Sequence, residues 1–165
     1  MAFLLMVAAM GGGAMAAGET SFDIELQQLL RSGVGRGDKL LKMTAETVRD
    51  EDCAARPLPY LRLIGSETYP SRATPGQTIN HRLTYALCPD TSGAPLVASL
   101  TKRLFSPDQL ILSEPNPNYQ FRPGTWADDD QIEIPATARK GRYTIEVEIA
   151  VGPLTQRTQA EFSIE

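Results

Sequence analysis

Residues 141 to 164 constrain the fold more than any other stretch of the chain. Tyr143, Ile145, Val147, Ile149 and Val151 alternate with Arg142, Thr144, Glu146, Glu148 and Ala150. Apolar side chains at a period of two, with charge between them, describe a strand that buries one face and wets the other. Gly152 and Pro153 break the run. Leu154 to Ile164 resumes it, with Ala160, Phe162 and Ile164 on one parity. Two such runs joined by Gly-Pro predict an antiparallel hairpin. Its apolar face needs a second layer, so the rest of the chain is read as strands that cover it.

The texture from Pro57 onward agrees. Tyr60 to Glu67, Gln77 to Cys88 and Leu96 to Phe105 are alternating runs separated by turn residues, although Lys102 interrupts the apolar face of the third. Leu110 to Leu112 and Gln131 to Ile134 read as short strands, and Tyr119 to Arg122 as an edge strand. Glu114-Pro-Asn-Pro-Asn118 between them reads as a rigid, extended connection. Twelve prolines and thirteen glycines suit loops and turns better than helices. Roughly seven or eight strands at this spacing predict an all-β fold, an antiparallel sandwich over residues 57–165. A chain of 165 residues holds one such domain and a short extension.

That extension divides in two. Residues 1–17 carry no charge, and the apolar run Ala2 to Met10 is shorter than the ~20 residues that span a bilayer. With Ala14-Met15-Ala16 as a small-x-small cleavage site, residues 1–16 read as a secretory signal, although no Lys or Arg precedes the apolar run. The expected location is periplasmic or secreted, with no transmembrane span left after cleavage. Residues 17–56 read as a helical and linker extension. Phe22, Leu26, Leu29 and Leu30 fall on one face of a helix from about Ser21 to Arg31, which either packs on the domain or docks into a partner. Gly33 to Lys39 reads as a flexible linker. Lys39 to Asp50 fits both periods, and the reading leans to a helix capped by Asp38.

Two cysteines, Cys53 and Cys88, form an even count in a chain expected to be exported, which predicts a disulfide. Closing that loop is worth roughly 4 kcal/mol in the chain-entropy picture. Only two cysteines and one histidine argue against a zinc site. Once the signal is removed, Met43 and His81 are too few soft ligands for a copper carrier. No cofactor is assigned.

Ile132-Glu-Ile134-Pro135, a short turn, and then Gly141-Arg-Tyr143-Thr-Ile145-Glu-Val147 resembles the late strands of immunoglobulin-like domains. Ser71-Arg-Ala-Thr-Pro75-Gly76-Gln77 before a long strand is similar to the early turn of bacterial immunoglobulin-like modules. The resemblance covers about Leu58 to Glu165. It implies a sandwich in which the Tyr143 ring packs at a corner between the sheets. Two departures stand out: Trp126 follows both cysteines, and Arg139 stands where that corner is often acidic. The cysteines are therefore not expected to form the usual bridge between sheets.

Function is less constrained. Net charge is −4 with no basic stripe, which excludes a nucleic-acid partner of ordinary kind. His81 shares its parity with Ile79 and Leu83 and is expected in the core or an interface rather than in catalysis. Asp128-Asp129-Asp130, near Glu133, lacks the alternate spacing of a calcium loop and reads as a solvated loop that begins an edge strand. The expectation is a non-enzymatic, exported module that binds another envelope protein or supports an envelope assembly. Its mechanism would be the helical face or strand addition at an open sheet edge. Arg122, Pro123 and Lys102 are expected as edge guards. The alternative is a carbohydrate or small-ligand accessory domain, with Trp126, Tyr119 and Phe121 as an aromatic platform.

Overall fold

The computed structural model describes residues 37–165 apart from residue 108. The expected signal segment and the helical face of Phe22, Leu26, Leu29 and Leu30 lie outside the described residues. Two sheets stack into an all-β sandwich, and no described helix is long and apolar enough to cross a membrane. The first sheet has the order β1-β7-β4-β2, formed by Gly37–Lys42, Gly124–Glu133, Thr78–Cys88 and Tyr60–Tyr69. The second has the order β3-β9-β8-β5-β6, formed by Arg72–Ala73, Leu154–Ile164, Gly141–Val151, Leu96–Phe105 and Leu110–Phe121. All pairings are antiparallel except the short parallel contact of β3 with β9.

The organising hairpin forms as the alternation requires. β8 and β9 pair from Gly141 opposite Ile164 to Val151 opposite Leu154. Tyr143, Ile145, Val147 and Ile149 are buried, as are Ala160, Phe162 and Ile164. Facing them from the first sheet, Ile79, Leu83, Tyr85 and Leu87 of β4 are buried on one parity. Tyr143 stacks on Phe162 with ring centres 5.4 Å apart. Its hydroxyl donates to the Arg139 carbonyl at 2.8 Å. The acceptor is backbone, so an arginine side chain at that position is no obstacle to the corner contact.

Three stretches differ from the sequence reading. The first is residues 37–50. Gly37–Lys42 is a strand, not linker or helix, and pairs with β7; the helix α1 is only Thr44–Asp50. Asp38 is no helix cap. It sits in β1 and accepts from the Arg122 guanidinium. Glu46 accepts the Met43 N–H at 3.0 Å and closes the helix start from within. Thr47 is fully buried, with its hydroxyl 2.8 Å from that of Thr125 on β7, and this contact docks α1 on the outer face of the first sheet. The sheet thus takes in residues ahead of position 57.

The second stretch is Asp128 to Asp130, which is no solvated loop. It lies inside β7, a strand flanked on both sides by β1 and β4. The third is residues 110–121, which form one strand rather than two pieces and a connection. β6 is the edge of its sheet, where Pro115 and Pro117 lose no ladder hydrogen bond on the outer side. A register shift at Pro117 and Asn118 absorbs the irregular stretch, and a second follows at Ile111.

Cys53 and Cys88 form a disulfide with Cα atoms 5.8 Å apart. It ties the single turn Cys53–Ala55 after α1 to the end of β4, so it staples the N-terminal elements to the first sheet rather than joining the two sheets.

Gly124 opens β7 at φ +104°, and a Cβ there would lie 2.8 Å from the Lys42 carbonyl oxygen. Both the backbone conformation and the close pass of β1 require glycine. Gly124→Ala is expected to lower stability by about 2 kcal/mol or more. In hydrogen exchange, the β1 amides should lose protection before those of β8.

Candidate functional site

The described residues place a polar seam inside the sandwich on the side where β6 overlies β7. The seam follows from the pleat. On β5, Lys102 shares the inward parity of Leu100 and Leu104; on β7, Asp128 and Asp130 share that of Ile132. Each inward or neighbouring aspartate meets a different partner. Asp130 pairs with Lys102 across the two sheets, both side chains being largely buried at 18% and 14% exposure. Asp128, 3% exposed, accepts the Tyr119 hydroxyl of β6 at 2.7 Å. Asp129 points to the outer face, where Arg82 binds it through two nitrogens at 2.8 and 2.9 Å and Asn80 donates at 2.7 Å. Burial and the adjacent Asp128 carboxylate push the Tyr119 phenol upward, so it remains a hydrogen-bond donor at neutral pH. Arg82 holds the Asp129 carboxyl below its usual range.

His81 of β4 lies at the bottom of the seam, 1% exposed, with Nε2 2.8 Å from the Ser66 hydroxyl. Burial, and secondly the Lys102 charge, push its pKa down to about 3. The imidazole is therefore neutral at physiological pH. A hydroxyl beside an imidazole is the geometry of an activated nucleophile, but this ring is a very weak base and is sealed from substrate. The Ser66–His81 contact is a core hydrogen bond, in keeping with the expected core position of His81. Beside it lies a cavity of about 40 Å³, bordered by Lys102, Glu114 and Asp130 among others. That volume holds water rather than an organic ligand. No group of metal-ligating side chains occurs among the described residues.

Of the three aromatic residues expected as a platform, Tyr119 and Trp126 are partly buried and Phe121 is not at the surface. Phe121 is fully buried, with ring centres 5.0 Å from Tyr85 and 4.6 Å from Tyr119. The Tyr119 hydroxyl is spent on Asp128. Trp126 is half-buried; its indole N–H donates to the Pro123 carbonyl at 2.9 Å, and the Arg122 guanidinium sits 3.6 Å above its ring. The expected guards are elsewhere too. Lys102 is on an interior strand facing inward, and Arg122 stacks on Trp126 in the β6–β7 turn. The seam itself had one signal in the sequence, a lysine on the apolar parity of β5. Its partners, two aspartates spaced by two, were hidden in an apparent loop.

No protein-family model matches the chain, and no curated protein matches it in sequence. Solved structures give only distant likenesses. A family 123 glycoside hydrolase from Clostridium perfringens is 12% identical over 79% of this chain and 27% of its own, at a TM-score of 0.46. A CARDB domain from Pyrococcus furiosus, solved with two metal ions, is 11% identical over 65% of this chain and 89% of its own, at 0.41. A chimeric titin Z1Z2 tandem is 16% identical over 65% and 50%, at 0.37. The chain spans about a quarter of the glycoside hydrolase. At such scores none of these likenesses carries an argument, and the fold stands on its own strand pairing.

Two outcomes follow from the seam. Lys102→Met leaves Asp130 without its cation and should cost about 3 kcal/mol in a urea melt. Adding Asp130→Leu should restore most of that loss, and a fully additive double variant would mean that the pair is not coupled. For His81, the unfolded ring takes up a proton near pH 6.5 and the folded ring near 3. Its contribution is therefore complete above pH 6.5 and is lost as pH falls toward 3, by about 1.4 kcal/mol per unit. In His81→Asn the slope of stability between pH 6.5 and 5, above the carboxylate range, should flatten.

Proposed function

We propose that the chain is an exported, non-enzymatic module with an immunoglobulin-like sandwich, which takes a protein partner of the cell envelope by strand addition at β1. The observation that carries this reading is the unequal treatment of the sheet edges. The outer edge of β2 is closed by Gln156, whose side chain accepts the Leu63 N–H at 2.9 Å and donates to the Leu61 carbonyl at 2.6 Å. Thr68 further donates to the Glu161 carbonyl at 2.7 Å. β6 carries two prolines, and β3 is two residues long. β1 has no comparable closure among the described residues. It pairs with β7 on one side, and all six of its residues are exposed, Leu40 and Leu41 included. A sheet edge of this kind is a template for a further strand.

Export is supported by the Cys53–Cys88 disulfide, since such bonds persist in oxidising compartments. The alternative, a carbohydrate-binding domain, draws no support from Trp126, whose ring is covered by Arg122.

Proline scanning of β1 tests the reading. Successive N–H groups of an antiparallel strand point to opposite sides, so of Lys39→Pro and Leu40→Pro one removes a hydrogen bond to β7 and the other only blocks the outer edge. The variant whose melting temperature is preserved should lose the partner recovered by the unaltered chain from envelope extract. Full recovery by that stable variant would rule out strand addition at β1.

A further inference from the structure

Lys102 and Asp130 carry the two functional groups of an amide bond, and the fold holds them in contact. Nζ of Lys102 on β5 meets Oδ2 of Asp130 on β7, so an amine and a carboxyl from opposite sheets face each other inside the sandwich. Both side chains are largely withdrawn from water, and Leu104, Leu112, Ile132, Ile145 and Phe162 wall the small cavity beside them. A second carboxyl borders the same cavity. Glu114 of β6 lies directly opposite Lys102 in the ladder, where facing Cβ atoms stand about 5 Å apart. Its carboxylate makes no hydrogen bond or ion pair with another described residue.

In water an ammonium and a carboxylate do not condense, because each is well solvated and they rarely hold a reactive geometry. Here both conditions change. Two charges taken out of water are held only by their mutual attraction. Moving one proton from Lys102 to Asp130 yields the neutral amine and acid, which are the forms that react. The fixed contact also replaces a bimolecular encounter, an advantage equivalent to roughly 10⁵–10⁸ M for well-oriented groups. The cavity of about 40 Å³ has room for the water that condensation releases.

We propose that Lys102 and Asp130 condense into an isopeptide bond across the two sheets, with Glu114 as the proton carrier. After the first proton passes from Nζ to Asp130, the nitrogen lone pair attacks Cγ. The C–N bond forms and one C–O bond breaks. Glu114 takes a second proton from the attacking nitrogen and delivers it to the departing oxygen, which leaves as water. Ammonium and carboxylate become amide and water, with no change of net charge and no oxidant or reductant. The ion pair, with the stability cycle predicted for it, is the state before the bond forms. This site is separate from β1 and does not depend on strand addition there.

The test is mass spectrometry of the full chain, purified in its folded form and then reduced and denatured. The expected mass is one water below that of the sequence from the N-terminus the chain carries. Chymotrypsin cuts after Phe105, Phe121 and Trp126, so Lys102 and Asp130 fall on segments that are not adjacent. The bond should therefore appear as one branched peptide joining them. Lys102→Arg keeps the cation but offers no reactive amine; it should show the full mass, no branched peptide and a lower melting temperature. Glu114→Gln keeps the shape and should slow bond formation at least about a hundredfold, the loss of a positioned proton carrier. If that variant fails to fold, Glu114→Asp sets the carboxyl back by one methylene and should form the bond more slowly than the unaltered chain. The full sequence mass in the folded chain after prolonged incubation, or a water lost at other residues, would overturn the proposal. Bond formation at an equal rate in folded Glu114→Gln would overturn the part given to Glu114.

Discussion

Three consecutive aspartates on a strand flanked on both sides set the condition that the rest of the sandwich meets. A carboxylate taken out of water is costly unless a cation or hydrogen-bond donors replace the water. Asp128, Asp129 and Asp130 are each matched from a different element: Tyr119 of β6, Arg82 of β4, and Lys102 of β5. Because two of those partners belong to the second sheet, satisfying β7 also holds the sheets together along that side. The opposite side is closed by different means, through the Gln156 amide and the Thr68 hydroxyl that join β2 to β9. One side is stitched through carboxylates and the other by hydrogen bonds from side chains to backbone, with the apolar core between them.

What was legible in the sequence follows from this arrangement. β8 and β9 alternate because each has one face in the core; β4 and β5 alternate as well, with His81 and Lys102 on their apolar faces, and the limits of all four were readable to within a residue or so. β7 was not readable as a whole strand. Its first half is buried on both faces, by the core and by α1, and its inward positions carry acids whose partners lie on other strands. Periodicity reports burial only when burial is apolar. β6 was broken by Pro115 and Pro117, which an edge strand tolerates but which sequence reasoning treats as punctuation. β1 and α1 share one stretch of ambiguous period, and only the close pass over Gly124 separates them at Met43. The disulfide was readable from an even cysteine count, whereas the Lys102–Asp130 pair left a single trace. For the three expected platform aromatics, closeness in sequence says nothing about which rings are buried, and Phe121 is one that is.

The edges show how much of the surface is committed. A sandwich of two open sheets has four edges, and each is an invitation to another chain unless blunted. Side-chain mimicry of a strand by Gln156, prolines on β6 and extreme brevity of β3 are three separate solutions. Against them, among the described residues, β1 carries its own lysines and a register shift beside Leu41.

Register gives the buried charges a role that stability alone does not. Apolar inner faces are permissive, since one aliphatic residue replaces another with modest loss. A slip of β7 by one residue would put Asp129 in the place of one inward aspartate and give the other place to Ala127 or Gln131. Arg82 would still face a carboxylate, but either Tyr119 or Lys102 would lose the one it now meets. Ile132 would turn to the outer face at the same time. The inward acids therefore add a polar penalty to the apolar one for the same displacement, although they make β7 hard to read as a strand.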